Sequence, residues 1–289
     1  MVWIIFALTA MVVCAYLLSS NTPASANYIL HWSDEFDGPK GSAPDSTKWN
    51  YDLGGSGFGN HELECYTDRR ENSYLDGNGN LVMKAIKESF TGADGIKKDY
   101  TSARLLTKGK FSHTFGRWEA RIKMPTGQGI WPAFWMMGDN IDKVGWPGCR
   151  ELDIGEIKGS QPSENNGSLH APGFSGANCL TGKFTLPEGK KFSDDFHIFS
   201  IEWLPDCIRF YVDGQLYSTK TPADVPGKEW GYDKPCFILL DLAIGGDFGG
   251  NPDDTTVFPQ EMLVDYVRVY DVDHDRLGFF RHYLHAPPI

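Results

Sequence analysis

The sequence feature that most restricts the fold is the alternation of apolar and polar residues along short segments. In residues 118–124 apolar and charged side chains alternate without a fault. Residues 208–212 also alternate up to Asp213-Gly214, and residues 215–217 then resume the pattern. A period of two is typical of a strand with one buried face, and Asp-Gly between two such runs indicates a hairpin turn. These segments therefore predict antiparallel β-structure.

The rest of the chain also favours an all-β fold. Residues 76–80 read Asp-Gly-Asn-Gly-Asn and predict a turn, and residues 81–85 leave it as an apolar strand. Residues 264–270 are rich in β-branched and aromatic side chains, and few windows show sustained helical periodicity. A chain of 289 residues has a usual length for one all-β domain. We predict a β-sandwich or jelly roll.

The N-terminus has the pattern of an export signal. Residues 2–18 are almost wholly apolar and uncharged, residues 19–23 are polar, and residues 24–26 read Ala-Ser-Ala, a small-x-small cleavage pattern. We predict a signal peptide at residues 1–26, with the mature protein secreted to the extracellular space or the periplasm. The alternative is an uncleaved anchor helix, for which the apolar run is at the short end for a ~30 Å hydrocarbon core.

No linker, charge run or internal repeat divides the mature chain. We predict one domain over residues 27–270 and a C-terminal tail over residues 271–289, which is polar, then aromatic, and ends in Ala-Pro-Pro-Ile. No other segment is long and apolar enough to span a membrane, so we expect no membrane contact after cleavage. At most two disulfides can form among the five cysteines of the mature chain, and spacing leaves the pairing open: Cys65, Cys149, Cys179, Cys207 and Cys236.

The chain is acidic, with a net charge of -11 at pH 7. A negative surface repels nucleic acid and anionic lipid, so we expect no nucleic-acid partner. The same charge disfavours a strongly sulfated or acidic substrate, and a neutral substrate fits better.

Three carboxylates lie close together in the segment Glu-Leu-Asp-Ile-Gly-Glu at residues 151–156. On a regular strand Glu151 and Asp153 share a face, whereas Glu156 points to the other face. A β-bulge at Ile154-Gly155 would add one residue and bring Glu156 back, and glycine tolerates the backbone angles that a bulge can need. We therefore predict three acids on one sheet face.

Such an arrangement is useful for cleaving glycosidic bonds. Like charges this close must separate their pKa values, so that one carboxylate can attack while another stays protonated and assists the leaving group. The alternative is an exposed acidic strand in which each carboxylate is merely solvated.

Aromatic residues and a histidine flank the acids. Trp131 and Trp135 precede them and are candidates for stacking on sugar rings, although tryptophan is also often buried in the core. His170 follows them, near the predicted start of the next strand. It either lies beside the acid/base or is a structural hydrogen-bonding residue.

Seven stretches of the sequence together resemble glycoside hydrolase family 16, in particular its bacterial laminarinases. They are residues 32–36, 59–66, 101–104, 116–121, 131–135, 151–156 and 265–270. They cover nearly all of the mature chain, and the E-x-D-x-x-E pattern in this context is highly specific. The sequence departs from the usual pattern at four positions, none of which is a catalytic acid: His61, Gly155, Ala171 and Asp241.

The resemblance implies a concanavalin A-like β-jelly-roll with a glycan cleft across its concave sheet, and a retaining double displacement. Glu151 would be the nucleophile and Glu156 the acid/base, with their carboxyl groups about 5–5.5 Å apart, and Asp153 would hydrogen-bond the nucleophile. It further implies five substrate-binding residues: Asn60, Arg104, Trp131, Trp135 and His170.

The resemblance implies no cofactor for catalysis, but it does imply a structural calcium ion. The ligands would be Asp265 and main-chain oxygens near Glu35 and Gly77, and oxygen ligands around a carboxylate suit calcium.

The predicted function is that of a monomeric endo-β-1,3-glucanase whose partner is a polysaccharide, with some tolerance for mixed-linkage β-1,3-1,4-glucan. Two alternatives remain open at this point. One is a related activity on agar, carrageenan or xyloglucan, including transglycosylation. The other is a non-catalytic glucan-binding protein, which we would expect to lack one of the three acids present here.

Overall fold

Two antiparallel sheets dominate the part of the chain that the computed structural model describes, residues 28–272. The predicted signal peptide and most of the predicted tail lie outside these residues. Leu30–Asp271 form one compact unit, and the described residues beyond it are Tyr28, Ile29 and Val272. We number the strands β1–β19 and the α-helices α1 and α2 in chain order.

The first sheet has eight strands within residues 28–272. Seven follow the order β17 (Gln215–Lys220), β16 (Cys207–Val212), β15 (His197–Leu204), β10 (Gly116–Lys123), β19 (Gln260–Val272), β5 (Leu81–Ala85) and β4 (Ser73–Leu75), and β1 (Tyr28–Asp34) pairs with β19. Strand β19 runs two residues past the predicted domain end at residue 270.

The second sheet has seven strands in the described range, and it carries the acidic segment. Their order is β14 (Leu180–Thr185), β13 (Glu164–His170), β12 (Glu151–Glu156), β11 (Ile130–Gly138), β18 (Cys236–Ile244), β9 (Arg104–Leu106) and β2 (Asn50–Tyr51). Two smaller sheets pair β3 (Glu64–Tyr66) with β8 (Tyr100–Ser102), and β6 (Phe90–Thr91) with β7 (Lys97–Lys98).

The helices within residues 28–272 are few and short. They are α1 (Ile141–Val144), α2 (Gly246–Gly249) and the 3₁₀ turns Gly176–Asn178 and Pro222–Asp224. None of the helices formed by residues 28–272 has the length and apolar character needed to cross a bilayer.

The predicted alternation and hairpin are both confirmed. Trp118, Ala120 and Ile122 of β10 are fully buried, and the strand pairs in antiparallel register with β15 and β19. Val212 pairs with Gln215 across the Asp213-Gly214 turn, whose two residues both have positive φ, 49° and 75°. Two such residues are typical of a type I′ hairpin turn.

The core lies between the two large sheets. Apolar side chains of β10 and β15 on the first sheet and of β11, β12 and β18 on the second belong to one buried cluster, which removes their surface from water. The predicted all-β sandwich of the jelly-roll class is confirmed. The other side of the second sheet, which we call the outer face, carries the candidate site. All five cysteines within residues 28–272 are free thiols.

Candidate active site

A β-bulge in β12 brings the three acids to the outer face. Their partners on the regular strand β11 are, in chain order of the acids, Met137, Trp135 and Ala133. These partners are spaced two apart, so they share one face, and the acids opposite them share it too. Two residues of β12 lie between Asp153 and Glu156, whereas one residue of β11 lies between their partners. The register of β12 against β13 shifts at the same place. The predicted bulge is confirmed.

The reason for glycine in the bulge differs from the one expected. Gly155 is not among the residues with positive φ, so backbone angle does not require it. A Cβ at Gly155 would lie 3.0 Å from Cγ of Phe199, which reaches across from the first sheet. Space rather than backbone conformation selects glycine here.

His170 lies beside Glu151 and Asp153, its cross-strand neighbours on β12. Its Nε2 is 3.1 Å from Oδ2 of Asp153 and 3.7 Å from Oε1 of Glu151. The contact with Asp153 is close but poorly aligned, so no well-directed hydrogen bond from the described residues reaches this buried oxygen. Nδ1 of His170 accepts the N–H of Gly176 at 3.0 Å, which turns Nε2 towards the acids. One of the two predicted roles placed His170 beside Glu156, the predicted acid/base. Its ion pairs are instead with Glu151 and Asp153.

The electrostatics of the site favour different protonation of the two glutamates. Burial and the neighbouring Asp153 raise the pKa of Glu151 to about 8, while His170 and the indole of Trp146 oppose that rise. Burial, Asp153 and Glu151 raise the pKa of Glu156 well above its ordinary value. Because Nδ1 of His170 accepts an N–H, its ring proton is on Nε2, which faces Glu151 and Asp153. That proton favours the ionised form of Glu151, so Glu156 holds its proton more firmly.

Two indole N–H groups donate to the two glutamates. Trp131 Nε1 donates to Oε1 of Glu156 at 3.0 Å, and Trp146 Nε1 donates to Oε2 of Glu151 at 2.9 Å. Trp146 is not among the site residues predicted from the sequence. Its side chain is 50 % exposed, which is unusual for so large an apolar ring near buried acids. The available signal was its place five residues before Glu151.

Arg104 and Trp135 pack together on the outer face. The guanidinium of Arg104 lies 4.9 Å from the ring centroids of both Trp135 and Phe58, a cation–π arrangement. Its Nε donates to Asp52 at 3.0 Å, and Trp135 Nε1 donates to Asp241 at 2.5 Å. Burial raises the pKa of Asp241 to about 7, although Arg104 opposes the shift.

Asn60 lies at the end of the site that contains Trp131. Its side-chain amide donates to Glu62 at 3.1 Å, and its main-chain carbonyl accepts the main-chain N–H of Asp247 at 2.9 Å. A Cβ at Gly246, the first residue of α2, would come within 2.9 Å of the Asn60 carbonyl and 3.2 Å of the Trp131 ring.

The structure therefore brings the predicted acids and sugar-binding residues to one face. Trp131 and Trp135 are each 9 % exposed, so most of each ring is used for packing and a sugar would meet an edge. Their sugar contacts stay predictions.

Two of the residues predicted at the calcium site, Asp265 and Glu35, use their carboxylates in ion pairs. Asp265 lies at a register shift of β19, and its Oδ2 is 2.6 Å from Nη1 of Arg121. The carboxylate of Glu35 accepts two hydrogen bonds from Arg268, at 3.0 and 2.7 Å. Gly77 lies beside Lys40. A cation at Asp265 would have to displace Arg121 from this carboxylate, so this arrangement does not by itself fit a calcium ion, and calcium binding stays a prediction.

The profile of "Glycosyl hydrolases family 16" matches residues 60–267, more than half of the chain. The chain is 37 % identical over 275 residues to a beta-glucanase of Rhodothermus marinus, covering 92 % of this chain and 93 % of that protein. It is 39 % identical over 244 residues to a glucan endo-1,3-beta-glucosidase of Cryptopygus antarcticus, covering 80 % of this chain and 86 % of that protein.

Among solved structures, the catalytic domain of an endo-1,3-beta-glucanase (laminarinase) from Thermotoga petrophila RKU-1 superposes with a TM-score of 0.81 at 46 % identity. The match covers 86 % of this chain and 99 % of that domain. The bulged acidic strand lies within residues 60–267, which the family profile matches. The chain therefore belongs to glycosyl hydrolases family 16 and is a glycoside hydrolase.

Proposed function

We propose that this glycoside hydrolase is an endo-β-1,3-glucanase that acts with retention of anomeric configuration. The observation that carries the proposal is the bulged strand β12. It places Glu151 and Glu156 on one face and in surroundings that favour different protonation. Glu151 has His170 and an indole N–H beside it, whereas Glu156 has one indole N–H and two acidic neighbours.

In the first step, Glu156 gives its proton to the glycosidic oxygen while a carboxylate oxygen of Glu151 attacks the anomeric carbon. The bond to the leaving sugar breaks, and a covalent glycosyl-enzyme forms. In the second step, the now ionised Glu156 takes a proton from water, the water oxygen attacks the same carbon, and Glu151 leaves as a carboxylate. Asp153 and His170 act by positioning Glu151 and setting its charge.

The names of the relatives support β-1,3-glucan as the substrate. They include a glucan endo-1,3-beta-glucosidase and a laminarinase catalytic domain, which this chain covers to 86 % and 99 % of their lengths. The net charge of -11 is consistent with a neutral glucan.

Product analysis tests the substrate. Purified enzyme is incubated separately with laminarin, barley mixed-linkage glucan and agarose, and the released oligosaccharides are sized. We expect oligosaccharides from laminarin first, slower release from mixed-linkage glucan and none from agarose. Preferred cleavage of agarose would contradict the proposal, and glucan binding without products would favour the non-catalytic alternative.

We further propose that residues 1–26 are removed on export and that the secreted enzyme is a monomer. The apolar run followed by Ala-Ser-Ala supports export. N-terminal sequencing of the protein from the culture medium should begin at Asn27, and light scattering should give the mass of one chain. A protein retained in the membrane fraction would favour the anchor alternative.

A further inference from the structure

Two histidines and an aspartate from distant parts of the chain meet near the pairing of β1 with β19 in the first sheet, whereas the catalytic acids lie on the second sheet. His31 is on β1, His113 precedes β10, and Asp271 is near the end of β19. His31 and His113 are 240 and 158 positions away from Asp271 in the sequence. Only folding brings these three side chains together.

Their geometry resembles a set of metal ligands. Nδ1 of His31 is 2.8 Å from Oδ2 of Asp271, and Nε2 of His113 is 2.9 Å from its Oδ1. The imidazole rings are stacked with centroids 4.3 Å apart and planes 25° apart, and one ligand atom from each residue lies within 4.8 Å of the others. Ligands about 2.0–2.1 Å from a tetrahedral zinc ion lie about 3.3 Å apart, so the imidazoles need to retreat by about half an ångström.

The charge of the carboxylate also suits a cation. The carboxylate of Asp271 is hydrogen-bonded to the imidazoles of His31 and His113. By contrast, Asp265 on the same strand pairs with the permanently charged Arg121. A neutral imidazole can present a nitrogen lone pair to a metal when its ring proton moves to the other nitrogen. An arginine stays protonated, so it always competes with the metal for the carboxylate.

We propose that His31, His113 and Asp271 form a site for a divalent transition-metal ion of the Zn²⁺ or Co²⁺ type. Imidazole nitrogen favours such ions over calcium or magnesium, which prefer oxygen ligands. The side chains of His31 and Asp271 are 41 % and 45 % exposed, so water can complete a fourth position. The ion would link β1 to the end of β19 and stabilise the folded chain, because it binds the native state and not the dispersed ligands of the unfolded chain.

The test uses the whole protein, freed of metal with a chelator and dialysed. It is titrated with ZnCl₂ in a calorimeter, melted with and without the ion, and titrated with CoCl₂ while visible absorption is recorded. We expect one tightly bound Zn²⁺ per chain, a higher melting temperature and cobalt bands typical of nitrogen and oxygen ligands. Asp271→Asn and His113→Ala should each weaken zinc binding by roughly tenfold or more.

Matched variants locate the ion. His197→Ala removes another histidine paired with a carboxylate, Asp213, at 2.7 Å, and it should bind zinc like the unchanged protein. His170→Ala removes the histidine beside Glu151 and Asp153. A triple variant with His274→Ala, His282→Ala and His285→Ala removes the three histidines that follow Asp271 in the sequence. Both variants should keep the site.

The proposal would be overturned if the protein did not bind zinc, or if zinc binding survived both Asp271→Asn and His113→Ala. It would also be overturned if zinc binding were lost only in His170→Ala. Circular dichroism checks folding. If His113→Ala does not fold, the isosteric Asp271→Asn decides.

Discussion

Gly155 in the bulge of β12 lies directly against Phe199 of β15: a Cβ on that glycine would be 3.0 Å from Cγ and 3.2 Å from Cβ of the phenylalanine. Phe199 is fully buried between the sheets. Its ring therefore occupies the space that a larger side chain at the bulge would need. The two residues couple the backbone that carries Glu156 to the core.

Adding a side chain at Gly155 should destabilise the fold because Phe199 cannot easily withdraw. Gly155→Val should cost about 1–3 kcal/mol in the free energy of unfolding, measured by urea denaturation. The combination of Gly155→Val with Phe199→Ala should be less destabilising than the sum of the single changes, because the smaller residue frees the space. Phe210 is another fully buried phenylalanine of the first sheet and provides the control. The destabilisation caused by Phe210→Ala should simply add to that of Gly155→Val in the double variant. Additive costs in both pairs would contradict the account.

The indole N–H of Trp146 should support the charge of Glu151. Trp146→Phe keeps an aromatic ring but removes the donor at 2.9 Å, so kcat should fall by roughly tenfold, as for loss of a hydrogen bond to a charged group. The melting temperature should stay unchanged because half of the side chain is exposed. Trp32→Phe, on the first sheet, serves as the control and should retain kcat. Full activity of Trp146→Phe would show that this hydrogen bond is not used in catalysis.

The Nε2–H of His170, which faces Glu151, should set the acidic limb of the pH profile. His170 lowers the pKa of Glu151, which burial and Asp153 raise to about 8. Replacing His170 with Asn removes this lowering effect, so the pKa of Glu151 should rise. Since the nucleophile must be ionised, the acidic limb of kcat/KM should then move to higher pH, and activity at neutral pH should fall.

His197→Asn tests whether this shift is specific, since His197 pairs with Asp213 on the first sheet. Its profile should match that of the unchanged enzyme. An acidic limb that stays in place, or moves to lower pH, in His170→Asn would contradict the role of His170.

Calcium at Asp265 should appear as a chelator-sensitive melting temperature. A ligand present at 100 times its dissociation constant stabilises the native state by about 2.7 kcal/mol. A calcium ion bound at Asp265 in place of Arg121 would therefore make the melting temperature fall with a calcium-selective chelator and recover with added CaCl₂. Asp265→Asn should abolish this response, whereas Asp271→Asn on the same strand should retain it. Identical melts with and without chelator would count against calcium and would agree with the Arg121 pairing seen at this carboxylate.

Local sequence patterns predicted the sandwich and the shared face of the three acids. Both follow from the period of two along a strand, and the bulge follows from the odd spacing between Asp153 and Glu156. These properties depend on neighbours in the chain, so the sequence alone contains them.

Contacts made by loops and by distant strands could not be predicted in this way. The position of Trp146 depends on the path of the loop before β12, and the aromatic partner of Arg104, Phe58, comes from another loop. Phe199 opposite Gly155 belongs to the other sheet. None of these contacts has a periodic signal in the sequence, because each one is set by packing between segments far apart in the chain.

The most direct test of the roles of Glu151 and Glu156 is the anomeric configuration of glycosyl azides formed by their alanine variants. An activated β-glucoside is used with sodium azide, and the products are assigned by proton NMR. In Glu156→Ala the nucleophile remains, so azide should attack the glycosyl-enzyme and give the β-azide. In Glu151→Ala no such intermediate forms, so azide should attack the substrate directly and give the α-azide. The reversed pair of anomers, or normal hydrolysis by both variants without azide products, would contradict the assignment.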